Sequence, residues 1–284
     1  MKSFLSMRRD ERISSLALGK FDGMHLAHRE LFRHLDKNGA VFCIESGGEQ
    51  LSPNKERYSP FEMIGVDFSE IEEWSGEYFV RRLREKFGVL KRLVVGYDFC
   101  FGKNRAWHAS DLARLFEGEV IIVSEFCVQG QGVHSSVIKA LILSGDMESA
   151  SAMLGRYYHL HGRIIHGQNL GSKQLYPTIN LSCKGYVLPQ DGVYASFTKL
   201  DDRIYKSVCF IGRRLSTDGC FSIETHIIDE NLQEHGSEAS VCFVRKIRDN
   251  ESFSDLGELK KRIASDIALA CEILDRAEAG LVDC

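Results

Sequence analysis

The first half of the chain alternates short apolar runs with amphipathic segments. Runs rich in β-branched residues and bounded by glycine are typical of buried parallel strands, whereas apolar residues spaced three and four apart predict helices. We predict strands at 15–18, 40–44, 93–95 and 120–123, and helices at about 24–35 and 77–87. This alternation of strand and helix favours a doubly wound α/β domain.

The pattern changes after about residue 154. Apolar and polar residues then alternate with a period of two, and turn residues separate the runs at 192–200, 205–211, 221–229 and 239–246. Even spacing and few helical signals predict a small closed antiparallel β-barrel, since closure leaves no exposed edge. Apolar residues at helical intervals over 256–274 predict a terminal helix. We therefore expect two domains, 1–154 and 155–284, each with its own core.

Composition narrows the class of protein. The 284 residues are 44% hydrophobic and 27% charged, with a net charge of −4. This acidic balance disfavours a nucleic-acid partner. It is still compatible with a locally positive site for small anions. Nine cysteines without a C-x-x-C pair favour reduced thiols. We see neither a signal peptide nor an apolar run near the roughly 20 residues of a spanning helix. We expect a cytoplasmic protein with no membrane or obligate protein partner.

The first cluster of chemistry-bearing residues lies at 19–28, where a strand turns into a helix. Free backbone N–H groups and the helix dipole favour a phosphate at such a turn. His25 and His28 fall on the same side of the first helical turn. There they can donate hydrogen bonds to a nucleoside triphosphate as charge develops during attack at its α-phosphorus. The alternative is one exposed and one core histidine on an ordinary helix.

Three stretches, in order, favour the catalytic interpretation. They are G-K-F-D-G-M-H-L-A-H at 19–28, V-G-Y-D-F-C-F-G-K at 95–103 and V-H-S-S-V-I-K at 133–139. They resemble G-x-F-D-G-x-H-x-G-H, V-G-x-D-F-x-F-G-x and I-S-S-T-x-I-R, motifs of the nucleotidyltransferase domain in bacterial bifunctional riboflavin kinase/FAD synthetases. The resemblance implies catalytic roles for His25 and His28. It also implies nucleotide contacts at Gly19, Phe21, Asp22, Gly23, Ser136 and Lys139, and flavin contacts at Asp98, Phe99 and Phe101.

The second half resembles the flavokinase domain of the same family from end to end. Residues 155–158 read G-R-Y-Y, residues 161–167 read H-G-R-I-I-H-G, and a loop that begins at Gly171 ends in Y-P-T-I-N-L at 176–181. The last stretch resembles the family's G-F-P-T-A-N-L. The resemblance implies that Thr178 and Asn180 coordinate the magnesium of Mg-ATP, whose preference for oxygen ligands suits them. It implies nucleotide contacts at Gly162, Gly167 and Gly171.

A later strand supplies the implied base of the kinase. F-S-I-E-T-H-I-I-D at 221–229 resembles the strand that carries the family's catalytic glutamate. Its period of two puts Glu224 and His226 on one face, and we expect Glu224 to point into the barrel mouth and accept the proton of the ribityl 5′-hydroxyl. K-I-R-D at 246–249 resembles a further family motif, in which Arg248 either contacts flavin or phosphate or only braces the barrel.

The resemblance implies a multifunctional transferase that phosphorylates riboflavin to FMN with Mg-ATP, then adenylates FMN to FAD and releases pyrophosphate. Departures from the motifs favour an alternative, a riboflavin kinase whose N-terminal domain is a scaffold or flavin-binding module. They are Ala27 for glycine, Lys139 for arginine, Trp107 for glycine, and I-E-S-G-G at 44–48 in place of the family's F-D-P-H-P. A non-enzymatic flavin sensor would be expected to lack Thr178, Asn180 and Glu224, all of which are present.

Overall fold

The computed structural model describes residues 1–165, 176–216, 218–230, 236–277 and 282. Backbone contacts divide the chain into two units, Met1–Ser135 and Ser136–Cys284. Two helices near this division, α5 (Ser135–Ser144) and α6 (Met147–Leu154), precede the predicted domain boundary at residue 154. The second unit includes them almost entirely, because α6 packs on strands of that unit.

The first unit contains a six-stranded sheet in which every neighbouring pair is parallel. Its strands are β1 (Lys2–Ser3), β2 (Ser15–Gly19), β3 (Gly39–Glu45), β4 (Glu62–Asp67), β5 (Arg92–Gly96) and β8 (Glu119–Val123), in the order β1-β4-β3-β2-β5-β8. The four predicted strands and the α/β class are confirmed. Sequence periodicity missed β4, whose buried centre is interrupted by Gly65.

Helices cover the sheet, and a separate hydrophobic cluster packs on each side of it. They are α1 (Leu26–Phe32), α2 (Phe68–Ile71), α3 (Gly76–Lys86) and α4 (Ala109–Leu115). The predicted helix at 24–35 begins two residues later than expected, because Met24 has a positive φ and His25 is an extended N-cap, and it ends at Phe32. Two short hairpins complete the unit: β6 (Cys100–Phe101) with β7 (Trp107–His108), and β9 (Cys127–Val128) with β10 (Gln131–Gly132).

The second unit is built around a closed antiparallel barrel, as predicted. Its strands are β11 (Tyr158–Ile165), β12 (Ile179–Ser182), β13 (Gly192–Leu200), β14 (Arg203–Arg213), β15 (Phe221–Ile227) and β16 (Glu238–Arg248), closed in the order β11-β12-β15-β14-β13-β16. The predicted terminal helix is α7 (Leu256–Asp275). It buries Ala270 and Leu274 against apolar residues on the outside of the barrel wall.

A polar network fills part of the barrel interior. Ser196, Thr198, Ser207 and Thr225 are fully buried, and their hydroxyl groups are linked at 2.8 Å, 2.8 Å and 3.0 Å. Each buried hydroxyl therefore has a partner, as stability requires. Because Thr225 points inward, the alternation of β15 turns Glu224 to the outer face of the wall. The expectation that Glu224 points into the barrel mouth is therefore wrong.

Most cysteines are free thiols, as the sequence suggested. The free thiols are Cys43, Cys100, Cys127, Cys183, Cys209, Cys220 and Cys271. No helix among the described residues is both long and apolar enough to span a membrane.

Candidate active sites

The strand order of the parallel sheet predicts a ligand site at the edge where the strands have their carboxyl ends. From β2 the chain winds outward through β3 and β4, and from β5 it winds the opposite way to β8. In open α/β sheets, a crevice opens at the carboxyl ends of the strands where the winding reverses. The loop after β2 carries His25, and the loop after β5 carries Asp98 and Phe99. Two of the three nucleotidyltransferase-like motif stretches, 19–28 and 95–103, therefore lead into this crevice.

The turn after β2 has a strained backbone. Phe21 and Met24 have positive φ angles of 52° and 44°, a conformation that costs non-glycine residues about 1–3 kcal/mol each. Tertiary packing holds the turn, because both side chains are buried and the Phe21 ring lies 5.1 Å from His28 and 5.5 Å from Phe32. Gly23 has a φ of 87°, which glycine adopts at little cost. The predicted nucleotide contact Phe21 is thus a core residue that supports His28.

His25 and His28 are brought together, as the H-x-x-H spacing predicts. Their rings stack at 3.5 Å between centroids, 17° from parallel. His25 Nε2 lies 3.2 Å from Ser135 Oγ, and Ser135 donates its own proton to the Asp22 carbonyl at 2.7 Å. The Ser135 hydroxyl therefore accepts from His25, which places a proton on Nε2.

Sequence reasoning named Ser136 and passed over Ser135. Both belong to the same motif and either fits a helix start, so the sequence carried no signal to separate them. Ser136 and Lys139 lie one helical turn apart on α5, where a spacing of three puts them on one side of the helix.

A second set of contacts fastens the same turn from residues 51–55. Asp22 Oδ1 accepts from the backbone N–H of Leu51 at 2.8 Å. Lys55, only 4% exposed, donates to the Lys20 carbonyl at 3.2 Å and to Glu45 Oε2 at 3.1 Å. Glu45 ends β3, where the family's F-D-P-H-P stretch was not found. An ion pair between a buried lysine and a partly exposed glutamate therefore lies at that position, and the lysine also bonds to the histidine-bearing turn.

The predicted flavin contacts on the loop after β5 differ in their exposure to solvent. The Asp98 side chain is 61% exposed, and its Oδ2 lies 3.7 Å from His134 Nδ1. Phe101 is 4% exposed and belongs to the hydrophobic core, with Phe99 stacked on it at 5.7 Å. His134 also lies 3.1 Å from Glu125, and this hydrogen bond lowers the pKa of Glu125. Asp98 is thus open to a ligand, whereas Phe101 supports the loop from beneath.

The barrel brings together the three residues predicted for the kinase. Asn180 in β12 pairs directly with Glu224 in β15, so their side chains share the outer face of the wall. Thr178, two residues before Asn180, lies with its Oγ1 3.5 Å from Glu224 Oε2. A hydroxyl, an amide and a carboxylate therefore meet on one surface.

His226 joins this group, although its role was not predicted. Its Nδ1 lies 2.8 Å from the Pro177 carbonyl, to which it donates, and its ring packs edge-on against Tyr176 at 5.2 Å. Because Pro177 precedes Thr178, this bond fixes the start of the P-T-x-N segment against β15. The period of two in β15 was the available signal, since it placed His226 beside Glu224.

Arg214 is a second residue that the sequence did not single out. Its Nη1 donates to Glu224 Oε1 at 3.3 Å, and its Nε and Nη2 donate to Asp218 at 3.0 Å and 2.7 Å. Burial disfavours the charged guanidinium, but the carboxylates of Glu224 and Asp218 outweigh burial and raise the pKa of Arg214. Arg214 is therefore a fixed cation beside the predicted base.

Two other predicted contacts have clear structural partners. Gly162 is buried in β11, where a Cβ would lie 2.5 Å from the Ser182 carbonyl, so close packing explains the glycine. Arg248 donates through Nε and Nη2 to Asp266 on α7, at 2.9–3.1 Å. This is the bracing contact considered as an alternative for Arg248. The predicted ligand contacts of both residues stay predictions, and Gly167 and Gly171 lie outside the described residues.

Family comparisons identify two domains in the chain. Residues 154–274 match the family model for riboflavin kinase, and residues 39–137 match the family model for FAD synthetase. Together the two matches cover more than two thirds of the chain. Both halves match, which favours the bifunctional interpretation over the kinase-only alternative.

Individual relatives match along nearly the whole chain. The bifunctional riboflavin kinase/FMN adenylyltransferases of Haemophilus influenzae and Escherichia coli K12 are each 27% identical to it, covering 90% of this chain and 92% and 91% of theirs. A Streptococcus pneumoniae crystal structure, described as a macrolide-efflux protein, superposes with a TM-score of 0.84 at 26% identity. The match covers 95% of this chain and 97% of that one.

The fold and the two clusters define a two-site transferase, with a doubly wound nucleotidyltransferase unit preceding a flavokinase-like barrel. The chain belongs to the bifunctional riboflavin kinase/FAD synthetase family. It carries both a riboflavin kinase domain and an FAD synthetase domain.

Proposed function

We propose that the barrel phosphorylates riboflavin through Thr178, Asn180 and Glu224, and that the N-terminal unit adenylates the resulting FMN through His25 and His28. ATP is the co-substrate at both sites, as γ-phosphoryl donor in the barrel and as adenylyl donor in the N-terminal unit. The observation that carries the proposal is the Asn180–Glu224 pair with Thr178 beside it.

In the kinase step, Glu224 accepts the proton of the ribityl 5′-hydroxyl. The freed oxygen forms a bond to the γ-phosphorus of ATP, and the bond from this phosphorus to the β,γ-bridging oxygen breaks, so that ADP leaves. Phosphoryl transfer needs positioning and charge stabilisation more than covalent help from the protein. A carboxylate that two neighbours orient suits the role of base.

The donor set beside Glu224 fits magnesium. Mg²⁺ prefers oxygen ligands and retains several waters, so one hydroxyl and one amide oxygen suffice when phosphates supply the rest. Thr178 is exposed and Asn180 half-buried, and both lie on the face that Glu224 shares. When bound, the ion would neutralise charge on the phosphates of ATP. Thr178 and Asn180 would hold it, and His226 would hold the segment that carries them.

In the adenylation step, a phosphate oxygen of FMN attacks the α-phosphorus of ATP. The bond from this phosphorus to the α,β-bridging oxygen breaks, and pyrophosphate leaves. His25 and His28 stack at the start of α1, where hydrogen bonds from their rings would stabilise charge on the phosphates. Ser135 orients His25, and the buried Phe21 supports His28.

One assay tests both halves of the proposal. The full chain is incubated with riboflavin, ATP and Mg²⁺, and the flavins are separated by chromatography. We expect FMN to appear first and FAD to follow. FMN without FAD would contradict the adenylation half, and the absence of both products would contradict the whole proposal.

The expected compartment and partners complete the proposal. We expect the enzyme to act in the cytosol on riboflavin, FMN and ATP, with no nucleic-acid, membrane or obligate protein partner. A net charge of −4 supports small anionic substrates bound at local sites rather than a nucleic-acid surface.

A further inference from the structure

The turn between β14 and β15 holds an arginine between two carboxylates. Arg214 directly follows β14, and Asp218 binds the Nε and Nη2 edge of its guanidinium in a bidentate pair. Bidentate pairing fixes the plane of a guanidinium as well as its position. The remaining nitrogen, Nη1, is thereby directed at Glu224 Oε1, 3.3 Å away.

Asp218, which holds the Arg214 guanidinium, is itself held in place by the turn. Asp218 Oδ1 accepts from the backbone N–H of Cys220 at 3.1 Å. The turn closes through two further backbone bonds, from Arg214 to the Cys220 carbonyl at 3.0 Å and from Gly219 to the Arg214 carbonyl at 3.1 Å. Only 19% of the Arg214 side chain is exposed. A guanidinium held this firmly can fix the orientation of the carboxylate it contacts.

We propose that Arg214 is a positioning residue of the kinase, which holds Oε1 of Glu224 so that Oε2 faces the reacting hydroxyl beside Thr178. The inference rests on the proposed role of Glu224 as base. The two Glu224 oxygens have different neighbours, Arg214 at Oε1 and Thr178 at Oε2. Without Arg214 the Glu224 carboxylate can rotate, so that Oε2 faces the reacting hydroxyl in a smaller fraction of the enzyme molecules.

The adjacent Arg213 provides a matched control. It has the same charge and length and ends β14, from where its Nη1 donates to the Gly219 carbonyl in the same turn at 3.2 Å. Glu224 bonds to Arg214 and not to Arg213 among the described contacts. Loss of charge or of a turn contact would therefore affect Arg213→Gln and Arg214→Gln alike, whereas loss of Glu224 positioning would affect Arg214→Gln alone.

Steady-state FMN formation by full-length variants tests the proposal. We expect Arg214→Gln to lower kcat by roughly 10- to 100-fold, since misplacement of a reacting group by about 1 Å costs on this order. The KM values for riboflavin and ATP should stay within about threefold of the unsubstituted enzyme, because Arg214 acts on the base. Arg213→Gln should keep its kcat. An equal fall in both variants, or a rise in KM alone, would overturn the proposal.

Chemical rescue separates positioning from misfolding. Added guanidinium chloride at millimolar concentration should restore part of the kcat of Arg214→Ala and leave that of Arg213→Ala unchanged. A kcat of Arg214→Ala that guanidinium does not raise would contradict the positioning role. Glu224→Gln separates a failure of the proposed base from a failure of the positioning role. If this variant still forms FMN, Glu224 is not the base. If Glu224→Gln is inactive and Arg214→Gln is fully active, only the positioning role is wrong.

Discussion

Asn180 and Glu224 stand directly opposite each other in the β12–β15 pair, and their side chains share the outer face of the barrel. They are more than forty positions apart in sequence. The pair joins an implied metal ligand to an implied base. Arg214 donates to Glu224, and His226 donates to the Pro177 carbonyl just before Thr178. The proposed kinase site therefore lies on the outer wall, while the interior holds a network of hydrogen-bonded hydroxyl groups.

Glu224→Gln should abolish FMN formation, because the amide keeps the shape of the side chain and cannot accept the proton. We expect a loss on the order of 10²–10⁴-fold in kcat. Adenylation of supplied FMN should continue at its normal rate. Glu230→Gln, an exposed substitution just after β15, is the matched control. An FMN-forming rate in Glu224→Gln close to that of the control would exclude Glu224 as the base.

His28→Ala should have the opposite effect, with FAD lost and FMN retained. Removal of a group that stabilises developing charge costs on the order of 10²–10³-fold in kcat. The measurement is pyrophosphate release with FMN and ATP supplied. If His28→Ala also stopped riboflavin phosphorylation, the two-site model would be contradicted.

Ser135→Ala tests the link from Ser135 to His25. It removes one hydrogen bond, worth about 1 kcal/mol, so adenylation should slow by roughly five- to tenfold. The control is Ser144→Ala at the other end of α5, whose hydroxyl donates to the Leu141 carbonyl. Equal adenylation rates in the two variants would show that the Ser135 hydroxyl does not orient His25.

Thr178→Ala should raise the magnesium concentration that gives half-maximal FMN formation. We expect a shift on the order of tenfold at fixed ATP, since weakened ligation typically costs at least this much in metal affinity. Thr178→Ser keeps the hydroxyl and should restore the original dependence on magnesium. If both variants showed the same dependence as the unsubstituted enzyme, Thr178 would not be a ligand.

Asp266→Asn should destabilise the barrel unit, because it leaves the guanidinium of Arg248 without its buried counter-charge. The side chains of Arg248 and Asp266 are 10% and 4% exposed, and removal of one partner of such a pair costs about 3–5 kcal/mol in free energy of unfolding. Denaturant unfolding measures the change, with the exposed Glu272→Gln on the same helix as control. A stability equal to that of the control would exclude the bracing role.

Much of the fold could be predicted because it depends on local patterns. β2 and β5 are apolar runs, and β13 and β15 alternate with a period of two, so their burial is visible in the residues themselves. The start of α1 was harder to predict. Met24 continues a helical pattern, yet contacts of Phe21 with His28 and Phe32 hold a strained turn there, and such tertiary contacts have no local signal.

The sequence by itself determined the two architectures, the H-x-x-H and P-T-x-N segments, and Glu224 as the candidate base. Only the tertiary structure decided that Glu224 faces outward, that Ser135 rather than a neighbour contacts His25, and that Arg214 belongs beside the base. The physical reason is that strand period assigns residues to faces without saying which face becomes the interior. That choice depends on the closure of six strands and on partners that are distant in sequence.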